Sequence, residues 1–244
     1  MIPLLKKEIS TFFSSLIGYI VIIVFMTING LFMWILPGNF NILDSGYSNI
    51  DSLFALAPWV FLFLVPAVTM RLFAEEKRTG TIEVLMTRPI TELQIILAKF
   101  FAGLLLVVLS LIPTLIYYFS VYYLGAQTGN IDSGGTWGSY IGLLFLAAIY
   151  VAIGLFASSI TDNQIIAFIV AVALCLTFYL GFDSVSALAV FKSIADFLLT
   201  LGINDHYQSI SRGVLDTRDI IYFVSVISIF ILLTKLRLEA RKWK

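Results

Sequence analysis

"EEKRTGTIEVLMTRPITE", residues 75–92, carries four carboxylates and three cations in eighteen positions. The chain around it is 60% hydrophobic and only 12% charged, with a mean hydropathy of +0.99. A soluble domain is nearer half apolar and a quarter charged, so an ordinary soluble fold is excluded. The polar run lies between two stretches greasy enough to enter a bilayer. Its placement decides which face of a membrane the chain offers to other proteins.

A helix rises ~1.5 Å per residue and the hydrocarbon core is ~30 Å thick, so about 20 apolar residues span it. Five charge-free runs reach or approach that length: Leu16–Leu36, Leu53–Met70, Phe100–Leu124, Trp137–Ile160 and Ile165–Phe182. A sixth, Ile220–Thr234, covers only ~22 Å as a helix, and spans if the bilayer thins and Lys235 and Arg237 snorkel outward. Extended to their flanks, the runs predict transmembrane helices at 16–36, 53–73, 100–124, 137–160, 164–182 and 219–236. Lys6 and Lys7 precede the first run as in a signal peptide. That run is too long for a signal core, however, and "ILPGNF" is no small-x-small cleavage site, so an uncleaved anchor is expected. Pro58, Pro66 and Pro113 predict kinks, with neighbouring helices satisfying the freed carbonyls.

Alternating the connections between two sides puts twelve of the fifteen cations with the N-terminus, residues 71–99, the short "TDN" turn and the C-terminal tail. Lys192, Arg212 and Arg218 fall on the other side. Cations accumulate on the cytoplasmic side while carboxylates hardly affect orientation. Both termini and residues 75–92 are therefore expected in the cytoplasm. The net charge is zero, which points to no nucleic-acid partner.

Residues 2–16 place Ile2, Leu5, Ile9, Phe12 and Leu16 on one helical stripe, with Lys6 and Lys7 elsewhere on the wheel. A basic amphipathic helix before a span reads as lying on the membrane surface. In the polar run, "RLFAEEKR" continues the second span, where Glu75 and Glu76 can pair with cations one turn away. Gly80 suits the end of that helix. Thr81 can cap a short helix from Ile82 to about Thr87, bearing Ile82, Leu85 and Met86. Pro89 stops it, and Thr91 with Gln94 forms a capping box that starts the next helix. The result is a stiff, partly apolar projection suited to docking another protein.

Phe73, Glu75, Glu76, Lys77, Gly80, Thr81, Glu83, Leu85 and Pro89 fit an F-x-E-E-[KR]-x-x-G-T-x-E-x-L-x-x-x-P pattern. On these residues the chain resembles ABC-2 type permeases, the membrane subunits of ATP-driven exporters. "DHYQSISRGVLDTRDIIYF", residues 205–223, is similar to the family's other recurrent segment. Within the family, length and general character are most similar to the smaller permease subunit of gliding-motility transporters. The resemblance implies an all-α integral membrane protein of six transmembrane helices and one transmembrane domain over 1–244. It implies an interfacial helix (Leu5, Lys6, Lys7, Ile9, Phe12), a cytoplasmic coupling helix between spans two and three, and outer re-entrant or surface helices between spans five and six. ATPase docking would fall to Glu75, Glu76, Arg78, Gly80, Thr81, Ile82, Glu83, Leu85, Met86 and Pro89. The implied partners are two copies of an ABC ATPase, a second permease subunit (the same or homologous) and the lipid bilayer. The implied location is a bacterial inner membrane.

In the outer connection, Val185, Leu188, Phe191, Ile194 or Ala195, Leu198 and Leu201 follow helical spacing. Gly134, Gly138 and Gly142 recur every four residues, an interval that lets helices approach closely. They mark either packing within the chain or contact with a second permease. Cys175 stands alone, so no intrachain disulfide forms. No glycine is followed by lysine, so there is no phosphate-binding loop; the chain is expected to bind no cofactor, with ATP and Mg on the partner. His206, the one histidine, reads as a surface residue rather than a ligand or base. The span interiors hold no carboxylate, lysine or arginine, with Arg71 and Lys99 at helix ends, which argues against an ion-coupled carrier. The sequence thus favours a non-catalytic exporter permease. An ATP-independent channel or carrier and a non-transporting membrane anchor of motility or secretion machinery are the alternatives.

Overall fold

The computed structural model describes residues 1–87, 89–188, 193–213 and 216–240, and of Met86 the backbone alone. Helix α1 (Ile2–Ser14) ends at Ser15, whose extended backbone turns the chain into α2 (Leu16–Gly30). A wider helical turn, Leu31–Ile35, prolongs α2, and α3 (Ile42–Ser45) sits in the loop beyond. After α4 (Asp51–Thr69) the helix breaks at Met70 and resumes as α5 (Arg71–Arg78), followed by α6 (Thr81–Met86). Next come α7 (Glu92–Leu111) and α8 (Leu115–Leu124), joined through a tight turn that holds Pro113. Then follow α9 (Ser133–Ile160), α10 (Gln164–Leu176), α11 (Phe182–Ser186), α12 (Ala195–Leu199), α13 (Ile203–Ser211) and α14 (Thr217–Glu239).

Among the described residues, six helical runs are long and apolar enough to cross a membrane: Leu16–Ile35, Asp51–Arg78, Glu92–Leu124, Ser133–Ile160, Gln164–Ser186 and Thr217–Glu239. The last is 23 residues long, so the predicted shortfall of the sixth span does not arise. Helix continues through the charged residues at both its ends, where Asp216 caps the start and Lys235 meets Glu239 at 3.5 Å. Direction alternates from run to run. Met1 and Ala240 therefore share one end of the bundle, here called proximal, and the opposite end is distal.

The second, third and fourth runs form the inside, 67%, 61% and 78% buried, while the first, fifth and sixth are 28%, 22% and 28% buried and face outward. Helix α9 is the axis, with Leu143, Ile149, Tyr150 and Ile153 fully enclosed and α4, α7, α10, α13 and α14 packed around it. Pro58 leaves the Phe54 carbonyl without its helical donor, and the Tyr207 hydroxyl donates to that carbonyl at 2.7 Å. A neighbouring element thus heals the kink, as expected.

In α1 the residues turned into the bundle are Leu4, Glu8 and Phe12, with Leu5 and Ile9 half-buried and Ile2 65% exposed; Leu16, the first residue of α2, is 75% exposed. Two expectations are revised. The spacing from Val185 to Leu201 is split between α11 and α12 rather than forming one helix; Phe191 and Lys192 lie outside the described residues. His206 is enclosed, its side chain 13% exposed. Its Nδ1 lies 2.6 Å from Asp219 Oδ1 and its Nε2 lies 3.0 Å from the Thr200 carbonyl, with the ring stacked on Tyr222. The polar character of residues 205–219 concealed this pairing of α13 with α14.

Gly138 and Gly142 lie against α13. A methyl on Gly138 would come within 2.9 Å of Gly213 Cα, and one on Gly142 within 3.0 Å of Ile210 Cγ2. Among the described residues, Gly134 meets only the Asp132 side chain.

Candidate functional site

At the proximal end, the break at Met70 leaves the first N–H groups of α5 without partners in their own helix. Ser158, near the end of α9, supplies them. Its hydroxyl accepts from the Phe73 and Ala74 amides, both at 3.0 Å, and donates to the Met70 carbonyl at 2.8 Å. The Lys77 ammonium donates to the Ser159 carbonyl. Helix α5 is thereby fixed to α9 at two successive residues.

A second attachment is ionic. Lys99 is the eighth residue of α7, with its side chain 1% exposed. It pairs with Glu8 of α1 at 3.1 Å and Glu76 of α5 at 2.9 Å, and its ammonium lies 5.2 Å from the Phe73 ring centre. The reading of Lys99 as a helix-end residue is therefore corrected: it lies two turns inside α7 and within the bundle. Lys7 closes the group, 3.3 Å from Glu8 and 3.5 Å from Glu76. Burial works to lower the Lys7 ammonium, but Glu8 and Glu76 outweigh it and hold it above its ordinary value. Two lysines and two carboxylates balance, as buried charge requires. Glu76 finds its cations on α1 and α7 rather than one turn away on α5. Glu75 instead lines a cavity of about 260 Å³ beside the cluster, together with Thr11, Arg71 and Thr79.

From this anchored root the chain turns at Gly80, in the left-handed region with φ 72°, where a side chain would be strained. Helix α6 begins one residue earlier than expected. Thr81 makes no cap; it is the first helical residue, and its hydroxyl lies 2.9 Å from that of Thr79. Ile82 points inward at 1% exposed and Leu85 packs half-buried against the core, whereas Val84 is 62% exposed. Arg78, Glu83 and Pro89 are also exposed. The Met86 side chain lies outside the described atoms. Thr91 and Gln94 form the expected capping box, with Gln94 N donating to Thr91 Oγ1 at 3.4 Å and Thr91 N to Gln94 Oε1 at 3.3 Å.

The predicted docking residues thus divide. Ile82 and Glu76 are committed to the fold, and Arg78, Glu83 and Pro89 are accessible. Val84 was missed, although it stands two positions from Ile82 and so on the opposite side of a 100°-per-residue helix. Glu8 and Lys99 were missed because their partners lie 91 positions apart.

The family model described as ABC-2 family transporter protein matches residues 2–243, and the chain belongs to that family. No curated protein matches it. Family membership and the six apolar helices together make it a multi-pass membrane protein and a transport permease. Members typically work with an ABC ATPase partner and are membrane subunits, generally non-catalytic.

Proposed function

We propose, with that membership as the premise, that this chain is the transmembrane subunit of an ATP-driven exporter. A separate ATPase, in two copies, holds ATP and Mg and hydrolyses it; a second permease, identical or homologous, completes the path. The proximal end faces the cytoplasm of a bacterial inner membrane and α6, with its flanks, is the coupling element. One observation carries this reading. The projection is tied at its root to α1, α7 and α9 while its tip presents Val84, Arg78 and Glu83 outward. A push on the tip is transmitted to three helices at once, because packed elements shift as units. Service in gliding motility or surface-protein secretion is the more specific form, motivated by the subfamily resemblance; an ATPase gene beside this one and a secretion or motility defect on deletion test it.

Val84→Asp places a charge at the docking face without touching the core. It should abolish co-purification of the ATPase and ATP-dependent transport in proteoliposomes, while the permease remains folded. Full ATPase binding and transport by this variant, or transport by the purified chain with no ATPase present, would refute the reading.

A further inference from the structure

The cavity of about 260 Å³ beside the Lys99 cluster is walled by α1, α5 and α7 at the proximal end of the second span. Its volume is that of roughly nine waters at ~30 Å³ each, room for a small polar headgroup. The charges around it fall into two sets. Lys7, Glu8, Glu76 and Lys99 are engaged with one another. Arg71 and Glu75 line the same cavity and are half-buried, and among the described residues neither side chain makes a hydrogen bond or ion pair. The Arg71 guanidinium rests over the Phe12 ring, 5.9 Å from its centre. Standing four positions apart on α5, Arg71 and Glu75 are within pairing reach, yet each is left to the cavity. Glu76 Oε2, at its wall, is buried and has no donor among the described residues.

The depth of these groups matches the headgroup layer of a bilayer. The apolar run of the second span ends at Met70. Arg71 therefore stands at the level of lipid phosphates, and Glu75 stands ~6 Å further out along α5. A zwitterionic phospholipid is layered in the same order, its phosphate next to glycerol and its ammonium beyond, toward water. Guanidinium matches phosphate through paired N–H donors, and a carboxylate accepts from a primary ammonium.

We propose that this cavity binds a phosphoethanolamine group, phosphate on Arg71 and ammonium on Glu75, supplied by a phospholipid of the adjoining leaflet. The lipid is resident, held between α1 and α5, and is not cargo. A phosphate without an amine would lie beside the uncommitted Glu75 carboxylate. An amine alone would leave the guanidinium unpaired, and a choline headgroup has no N–H to give Glu75. The proposal asks only that the proximal end meet a leaflet, as family membership and six apolar runs provide. It is independent of the coupling role of α6.

The test uses the purified full chain in detergent, with no ATPase. Equal amounts of phosphatidylethanolamine, phosphatidylcholine and phosphatidylglycerol of one acyl composition are added, and bound lipid is read by native mass spectrometry. Phosphatidylethanolamine should be retained about tenfold over phosphatidylcholine, the worth of one charge-assisted hydrogen bond. Glu75→Ala should erase that preference, because it removes the acceptor that choline does not use. Arg71→Gln should weaken retention of all three lipids about tenfold. Thermal midpoints in phosphatidylcholine nanodiscs check that both variants fold, and Glu75→Ala decides the matter by itself if Arg71→Gln does not. Equal retention of the ethanolamine and choline lipids by the wild type, preference for phosphatidylglycerol, or an ethanolamine preference that survives Glu75→Ala would each overturn the proposal. Excess soluble O-phosphoethanolamine separates the sources: lipid retained against it upholds the leaflet as supplier, and displacement upholds the same headgroup chemistry with a soluble one. Failure here leaves the coupling reading standing, and failure of Val84→Asp to uncouple leaves this one standing.

Discussion

The two ends of the bundle handle polar groups in opposite ways. At the proximal root, side chains from four helices are spent on each other: Lys99 on Glu8 and Glu76, Ser158 on the start of α5, Lys77 on the end of α9. At the distal mouth, the side chains of Asn49, Gln127 and Asn130 make no hydrogen bond among the described residues and line a cavity of about 1310 Å³. A region that must carry displacement has to be stiff, and mutual pairing of buried charges gives stiffness because separating them exposes each to an unfavourable medium. A region that receives a ligand has to keep donors and acceptors open. On the exporter reading proposed above, the paired root is the end built to carry displacement.

The strongest way to break that contrast is Lys99→Met. It strands two carboxylates and should cost about 3–5 kcal/mol, read as a large drop in the thermal midpoint in detergent. Adding Glu8→Gln and Glu76→Gln should recover most of the loss; no recovery would mean that Lys99 acts by packing alone. Next in size, Gly138→Leu pushes α13 off α9 and should cost about 1–3 kcal/mol, read as a fall in the thermal midpoint with ATPase capture unchanged. Loss of ATPase capture as well would dissolve the division between the ends. Lys7→Ala is the smallest. Its side chain is 58% exposed, so screening holds the effect to about 1 kcal/mol or less. The Lys7 ammonium is held above its ordinary 10.5. Its contribution is therefore whole below pH 10.5 and fades as pH rises past the higher folded value. Wild-type and Lys7→Ala melts should differ by a constant amount from pH 7 to 9 and converge in stronger alkali.

Local patterns made much of this legible from sequence. Six apolar runs, the left-handed turn at Gly80, the stop at Pro89 and the Thr91–Gln94 box are each settled within a few residues of chain, where backbone geometry and solvent transfer dominate. Even the healing of the Pro58 kink was foreseeable as a requirement, though not that Tyr207 would meet it. Two local readings failed where a distant group intervened. Lys99, read as a helix end, is held inside the bundle by Glu8 and Glu76, and the His206 side chain is held by Asp219 and Tyr222.

The sequence by itself determined that the chain has six long apolar helical runs and that one polar hinge projects between the second and third. Tertiary structure alone decided which helices form the interior, that Ile82 faces in while Val84 faces out, and that Lys7, Glu8, Glu76 and Lys99 converge. The reason is physical. A helix fixes the angle between its own residues, but its roll against a neighbour depends on how two surfaces interlock, and that information belongs to neither sequence segment alone.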